Sequence, residues 1–148
     1  MTWSMNKEEG MTLIETLLVL TALSIIISIP AVQFSRLKER SETALFFETF
    51  QSSVTLMQNY AILNDKWTVI EFRRPLKDIS FRVAGERGHP IEHKLSLPDH
   101  ISLLNDLTEF RFSRGTGHIR GHEVIRFRTP EGIVEFAFQL GSGRYEIR

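Results

Sequence analysis

The sequence predicts an α+β fold in which one long N-terminal helix lies with its second half across an antiparallel β-sheet. Three observations lead there. No residue from Thr16 to Ser35 is charged, and the apolar side chains of that stretch would face every direction around a helix. From Arg36 to Asp65, apolar residues recur largely at three- and four-residue intervals among charged ones, as on an amphipathic helix. From Trp67 onward the period becomes two, interrupted by Gly, Pro and Asp clusters, the pattern of half-buried strands joined by turns.

A chain of 148 residues suits one domain plus a membrane helix, and eleven phenylalanines with only 24% charged residues argue for a packed head. Cysteine is absent, so packing must do what disulfides or cysteine-held metals do elsewhere. A formal net charge of zero gives no global pull toward nucleic acid or anionic lipid.

Residues 11–35 contain Leu17, Leu18, Val19, Leu20, Leu23, Ile25, Ile26, Ile27 and Ile29, enough for the ~20 residues that cross a bilayer. Pro30 lies inside this run and would kink it rather than end it. Residues 36–65 continue as an amphipathic helix with Leu37, Phe47, Phe50, Val54, Met57 and Ala61 on the apolar stripe, and Asn64-Asp65 ends it. Residues 66–148 form the sheet. Strands are expected at 67–72, 79–83, 91–97, 108–112, 123–128 and 133–140, with a short edge strand at 144–148. Phe110 with Phe112, Ile125 with Phe127, and Val134 with Phe136 and Phe138 each take one face.

Glu15 is the only charge between Glu9 and Arg36. A lone carboxylate in hydrocarbon costs ~2.5 to 3.5 kcal/mol even on the lenient insertion scale, so such a residue implies a partner that neutralises it. A secretory signal peptide is one rival, and Ala31-Val32-Gln33 beside Pro30 makes a poor cleavage site for it. A plain signal anchor with Glu15 at the cytoplasmic interface is the other.

The short polar leader ending in Gly10, followed by Met11-Thr12-Leu13-Ile14-Glu15, resembles the processing site of type IV pilins and pseudopilins. The resemblance implies a leader of residues 1–10, cleavage between Gly10 and Met11 by a prepilin peptidase, and methylation of the Met11 amine. It also implies that Glu15, fifth in the mature chain, neutralises the free α-amino group of a neighbouring subunit and sets the register of helix on helix. Two departures stand out: Met11 replaces the commoner phenylalanine, and Glu8 and Glu9 occupy places where basic residues are frequent. The implied architecture is the pilin fold, which agrees with the fold read from periodicity.

A further resemblance is to minor pseudopilins of the competence machinery of Gram-positive bacteria. It is carried by the segment Glu9 to Leu20, a Gly121-His122 turn, and the ending Leu140-Gly141-Ser142-Gly143-Arg144. It implies a single-pass protein of the cell membrane with its N-terminus cytoplasmic and its head outside, displayed at the cell surface when assembled. Its partners would be the major and minor competence pseudopilins, a membrane platform protein, a separate assembly ATPase and, directly or through the filament, DNA. A type II secretion minor pseudopilin, or a single-pass membrane protein with a ligand-binding head, are the alternatives.

Remaining candidates weigh less. From Arg111 onward seven arginines face four glutamates, three net positive charges, which offers Arg111, Arg114, Arg120, Arg126 and Arg128 as a DNA contact against the plainer reading of a solvated face. His118 and His122 sit four apart, but glycines at 115, 117 and 121 make the segment a loop, and no Asp or Cys completes a zinc set. His89, His93 and His100 read as surface histidines. Gly115-Thr116-Gly117 and Gly141-Ser142-Gly143 are too short for a phosphate loop and read as turns. Trp67, Phe46 and Phe47 read as core, with subunit contact as the alternative. No catalytic constellation, metal site or cofactor site emerges.

Overall fold

The computed structural model describes residues 12–106, 108–119, 123–139 and 141–148, with the side chains of 28–33 outside that description. One α-helix, α1, runs Leu13–Leu63. The chain divides into two compact units, Met1–Glu39 and Arg40–Arg148, and α1 contributes to both.

The expected helix end is found within two residues. The Asn64 amide donates to the Tyr60 carbonyl at 3.0 Å and Asp65 turns left-handed at φ 51°. The carbonyls of a last helical turn lack partners of their own, and here the loop after the fifth strand supplies one, the Gly115 amide donating to the Ala61 carbonyl at 2.9 Å.

Eight strands follow: β1 (Thr68–Arg73), β2 (Asp78–Val83), β3 (His93–Ser96), β4 (Ser102–Leu103), β5 (Glu109–Phe112), β6 (Val124–Thr129), β7 (Gly132–Phe138) and β8 (Tyr145–Ile147). They build two four-stranded sheets, ordered β3-β2-β1-β5 and β4-β6-β7-β8, rather than the single antiparallel sheet expected. The reason lies between Pro98 and Glu109. The chain first gives the two-residue β4 to β6, then returns to lay β5 against β1 in the register Thr68↔Phe112 to Glu71↔Glu109. Period-two patterning fixes which face each strand buries, but it carries no information about which strand lies beside which. β4 itself is too short to show a period.

The core is the meeting of α1 with both sheets. Phe46, Phe50, Val54, Met57 and Ala61 lie at helical spacing and are buried. Leu37, assigned to that stripe from sequence, is 61% exposed, and Phe47 is half-buried while its neighbour Phe46 is buried. Phe50 joins the layers: its ring centroid lies 6.3 Å from Phe81 on the first sheet, and 5.5 and 5.1 Å from Phe127 and Phe136 on the second. Phe110 and Phe138, 5.0 Å apart, connect the two sheets directly.

One polar group helps hold the loops to the helix. The Gln58 amide donates to the Gly117 and Ser142 carbonyls at 3.1 and 3.2 Å. Gly143, at φ 64°, fits against this knot only as glycine, because a Cβ there would sit 2.4 Å from both Gln58 Nε2 and the Gly117 carbonyl oxygen. The ending that the sequence offers as a resemblance segment therefore has a packing reason of its own.

Candidate functional site

Residues 13–27 of the first unit present an apolar helix surface with one acid. Leu13, Ile14, Leu17, Leu18, Leu20, Ile25, Ile26 and Ile27 are exposed, and Glu15 is exposed among them. Thr16, Thr21 and Ser24 turn their hydroxyls back onto the carbonyls of Leu13, Leu17 and Leu20 at 2.7 to 2.8 Å. That arrangement hides polar donors as an apolar surrounding requires. Glu15 lies in the first turn of α1, its amide donating to the Thr12 carbonyl at 3.0 Å. An acid at a helix N-terminus has a local use, complementing the helix dipole by ~0.3 to 1 kcal/mol, which needs no partner chain.

Gly10 and Met11, the expected cleavage and methylation positions, lie outside the described residues. Position 30 falls within α1, and the Pro30 ring is among the side chains outside the description. Among the described residues no helix is long and apolar enough to cross a membrane. The expected span, 11–35, takes in both Met11 and the side chains of 28–33.

The arginines separate by sheet. On the first sheet three arginines meet acids: Arg111 and Glu109 at 2.7 Å, Arg82 and Glu71 at 2.7 Å, Arg73 and Asp78 at 2.6 Å. The second sheet differs. Arg126 and Arg128 alternate with buried Ile125 and Phe127 on β6 and face outward. Arg148 is held opposite Glu135 by two backbone hydrogen bonds of 2.9 and 3.0 Å, and Arg144 is bonded opposite Gln139. Glu135 pairs with Arg126 at 2.6 Å and Glu146 with Arg148 at 3.1 Å. Four arginines thus share this face with two glutamates. Arg114 is exposed on the turn after β5, and Arg120 lies outside the described residues. Arg144 and Arg148 were not among the candidates drawn from sequence. The alternation on β8, with Tyr145 packed on Phe136 and Phe138, is the signal that places them outward. Burial also pushes the Tyr145 hydroxyl above its ordinary pKa, against a smaller opposing effect of its hydrogen bond with Thr55.

The histidines of the first sheet region are not surface residues. His89, His93 and His100 are half-buried, and each bonds a hydroxyl of α1: Tyr60 at 2.9 Å, Ser53 at 2.8 Å and Thr43 at 2.9 Å. The His93 ring also stacks on Phe81 with centroids 4.7 Å apart. Their function in the fold is to fasten the 89–100 segment to the helix. Sequence reasoning missed it because the partners lie 29 to 57 residues away. His118 is exposed and His122 is outside the described residues; among the described residues no group of three His, Cys, Asp or Glu is placed to hold a metal.

No protein-family model matches the sequence, and no curated protein matches it. A solved structure does: the type IV minor pilin FimU of Pseudomonas aeruginosa superposes with a TM-score of 0.58 over 74% of this chain and 90% of that one, at 13% identity. The fold is therefore pilin-like, a long helix and antiparallel sheets in an α+β arrangement.

Proposed function

We propose that the chain is a minor pseudopilin of a competence pilus, similar to ComGD, assembling with other pseudopilins so that external DNA is bound and taken up across the cell wall. The observation that carries this reading is Glu15, a lone acid five residues past Gly10 at the head of an apolar helix. The pilin-like fold supports it.

In this reading a prepilin peptidase cuts after Gly10 and methylates Met11. Residues 11–35 anchor the subunit in the cell membrane, and the head stands outside. Glu15 meets the freed amine of an adjacent pseudopilin, major or minor, and fixes axial register. The subunit is not an enzyme; a separate ATPase and a membrane platform protein drive assembly. Mass spectrometry of the chain recovered from its native membrane tests the first step: the expected N-terminal residue is a methylated Met11. An intact residue 1–10 segment would remove the proposal and leave a plain membrane anchor. Deletion separates competence from secretion, since loss of transformation is expected and a secretion defect alone would point to a type II secretion pseudopilin.

Direct DNA contact through the second sheet forms the other half of the reading. Arg126 and Arg128, joined by Arg144 and Arg148, offer guanidinium groups to phosphates with a surplus of two positive charges over the two glutamates. Arg111 and Arg114 lie apart from that face. Neutralising about two phosphates gives a modest salt dependence, log K falling with log salt at a slope of about −2. The full chain in detergent is expected to bind duplex DNA at low ionic strength and to weaken when Arg128 is replaced by glutamate. Absence of binding at low salt would exclude direct contact by this subunit.

A further inference from the structure

A cleft of about 350 Å³ opens between the end of the first sheet and β4, the edge strand of the second. Phe72, Ile79, Leu97, Ile101 and Leu103 supply its apolar lining. Arg74 and Lys77 stand at it, on the tight turn between β1 and β2, and Lys77 holds a left-handed backbone at φ 49°, a conformation unusual for a residue with a side chain.

The charges at the rim fall into two kinds. Arg73 grips Asp78 through two bonds of 2.7 and 2.6 Å, with both side chains mostly buried, and forms a fixed wall. Arg74 and Lys77 instead hold Asp106 and Asp99, at 3.0 and 2.9 Å, and those two carboxylates are 101% and 96% exposed. Ion pairs of this exposed kind contribute little, so a second carboxylate meets only a small cost in displacing them.

The backbone of β4 supplies the third element. Leu104 donates to the Arg126 carbonyl at 2.8 Å, and Leu103 is registered opposite Phe127. Antiparallel strands bond through alternate residues, so the N–H and C=O of Leu103 point away from β6, toward the open edge. Beyond β4 the Asn105 side chain closes β6 itself, donating to Val124 and accepting from the Arg126 amide. A strand added outside β4 would therefore bond to Leu103, and its residue opposite Leu103 would share that side chain's inward direction, into the cleft.

We propose that this cleft receives an extended segment of a partner polypeptide, added as a strand to β4, with one apolar side chain among the five apolar residues and an acidic one two residues along on Arg74 and Lys77. Main-chain bonds at the edge give such a segment its grip, and the pocket and the cations select its sequence. The proposal is independent of the assembly function of Glu15, because it concerns the head alone.

A fluorescein-labelled Thr-Val-Thr-Leu-Thr-Asp-Thr peptide, titrated by anisotropy against the purified full chain in detergent, tests it. Saturable binding is expected, weaker by about tenfold for the peptide with lysine in place of aspartate and for the chain carrying Arg74→Glu or Lys77→Glu. N-methyl-leucine in the peptide is expected to abolish binding by removing the donor opposite Leu103. Both variants alter exposed side chains, and unchanged circular dichroism confirms their folding. No saturable binding, or binding indifferent to the lysine and N-methyl peptides, overturns the proposal. So does binding of 8-anilinonaphthalene-1-sulfonate that Leu103→Arg abolishes while no peptide binds, because the occupant is then a small amphiphile.

Discussion

Replacing Glu15 by alanine is expected to leave a chain that is processed at Gly10 and stable in the membrane, yet fails to join a filament. Two readings of Glu15 compete, the helix-start acid and the proposed assembly partner, and their magnitudes separate them. As a first-turn acid it stabilises the start of α1 by ~0.3 to 1 kcal/mol, and losing that much from a helix of 51 residues changes little. As the partner of a neighbour's amine in lipid, its removal leaves an unpaired buried charge, and breaking a buried pair in this way costs ~3 to 5 kcal/mol. At 1.4 kcal/mol per factor of ten, that is roughly two to four decades in the association of one subunit with the next. Crosslinking to other pseudopilins and transformation frequency should therefore collapse while protein level and N-terminal mass stay normal. Glu15→Asp, which keeps the charge on a shorter arm, should recover part of the loss. Normal transformation by the alanine variant would reduce Glu15 to its helix-start function and remove the assembly mechanism.

The parts of the molecule legible in sequence are those set by local period. The inward phenylalanines of β5, β6 and β7 follow from side-chain spacing, and the helix end at Leu63 and the edge strand β8 from the neighbouring Asn64-Asp65 and Gly141-Ser142-Gly143. What spacing cannot give is partnership between distant segments. The exchange of β4 and β5 between sheets, the three histidines that bond α1, and the glycine at 143 beneath Gln58 all depend on contacts across the fold. Leu37 shows the reverse case, a residue that spacing assigns to the apolar stripe and that the structure leaves exposed. The arginine candidates were half visible: charge counting found the second half of the chain, and only strand pairing showed that Arg126, Arg128, Arg144 and Arg148 share a face while Arg111 is neutralised on the other sheet.

Phe50→Ala is expected to destabilise the head by ~3 to 5 kcal/mol, a large fraction of the ~5 to 15 kcal/mol that holds a domain folded. The position explains the size. Phe50 is fully buried, and its ring meets Phe81 of one sheet and Phe127 and Phe136 of the other. Truncating it removes the contact through which a single helix residue holds both layers, and those three rings are each tied to a strand, so the void cannot close by a small shift of one side chain. Leu37→Ala provides the contrast, an exposed residue of the same predicted stripe whose truncation should change stability by less than about 0.5 kcal/mol. Urea unfolding of the full chain in detergent, followed by tyrosine and tryptophan fluorescence, measures both. A loss below ~1 kcal/mol for Phe50→Ala would mean that the two sheets are held to each other without the helix. In that case Phe110 with Phe138, rather than α1, would be the centre of the fold.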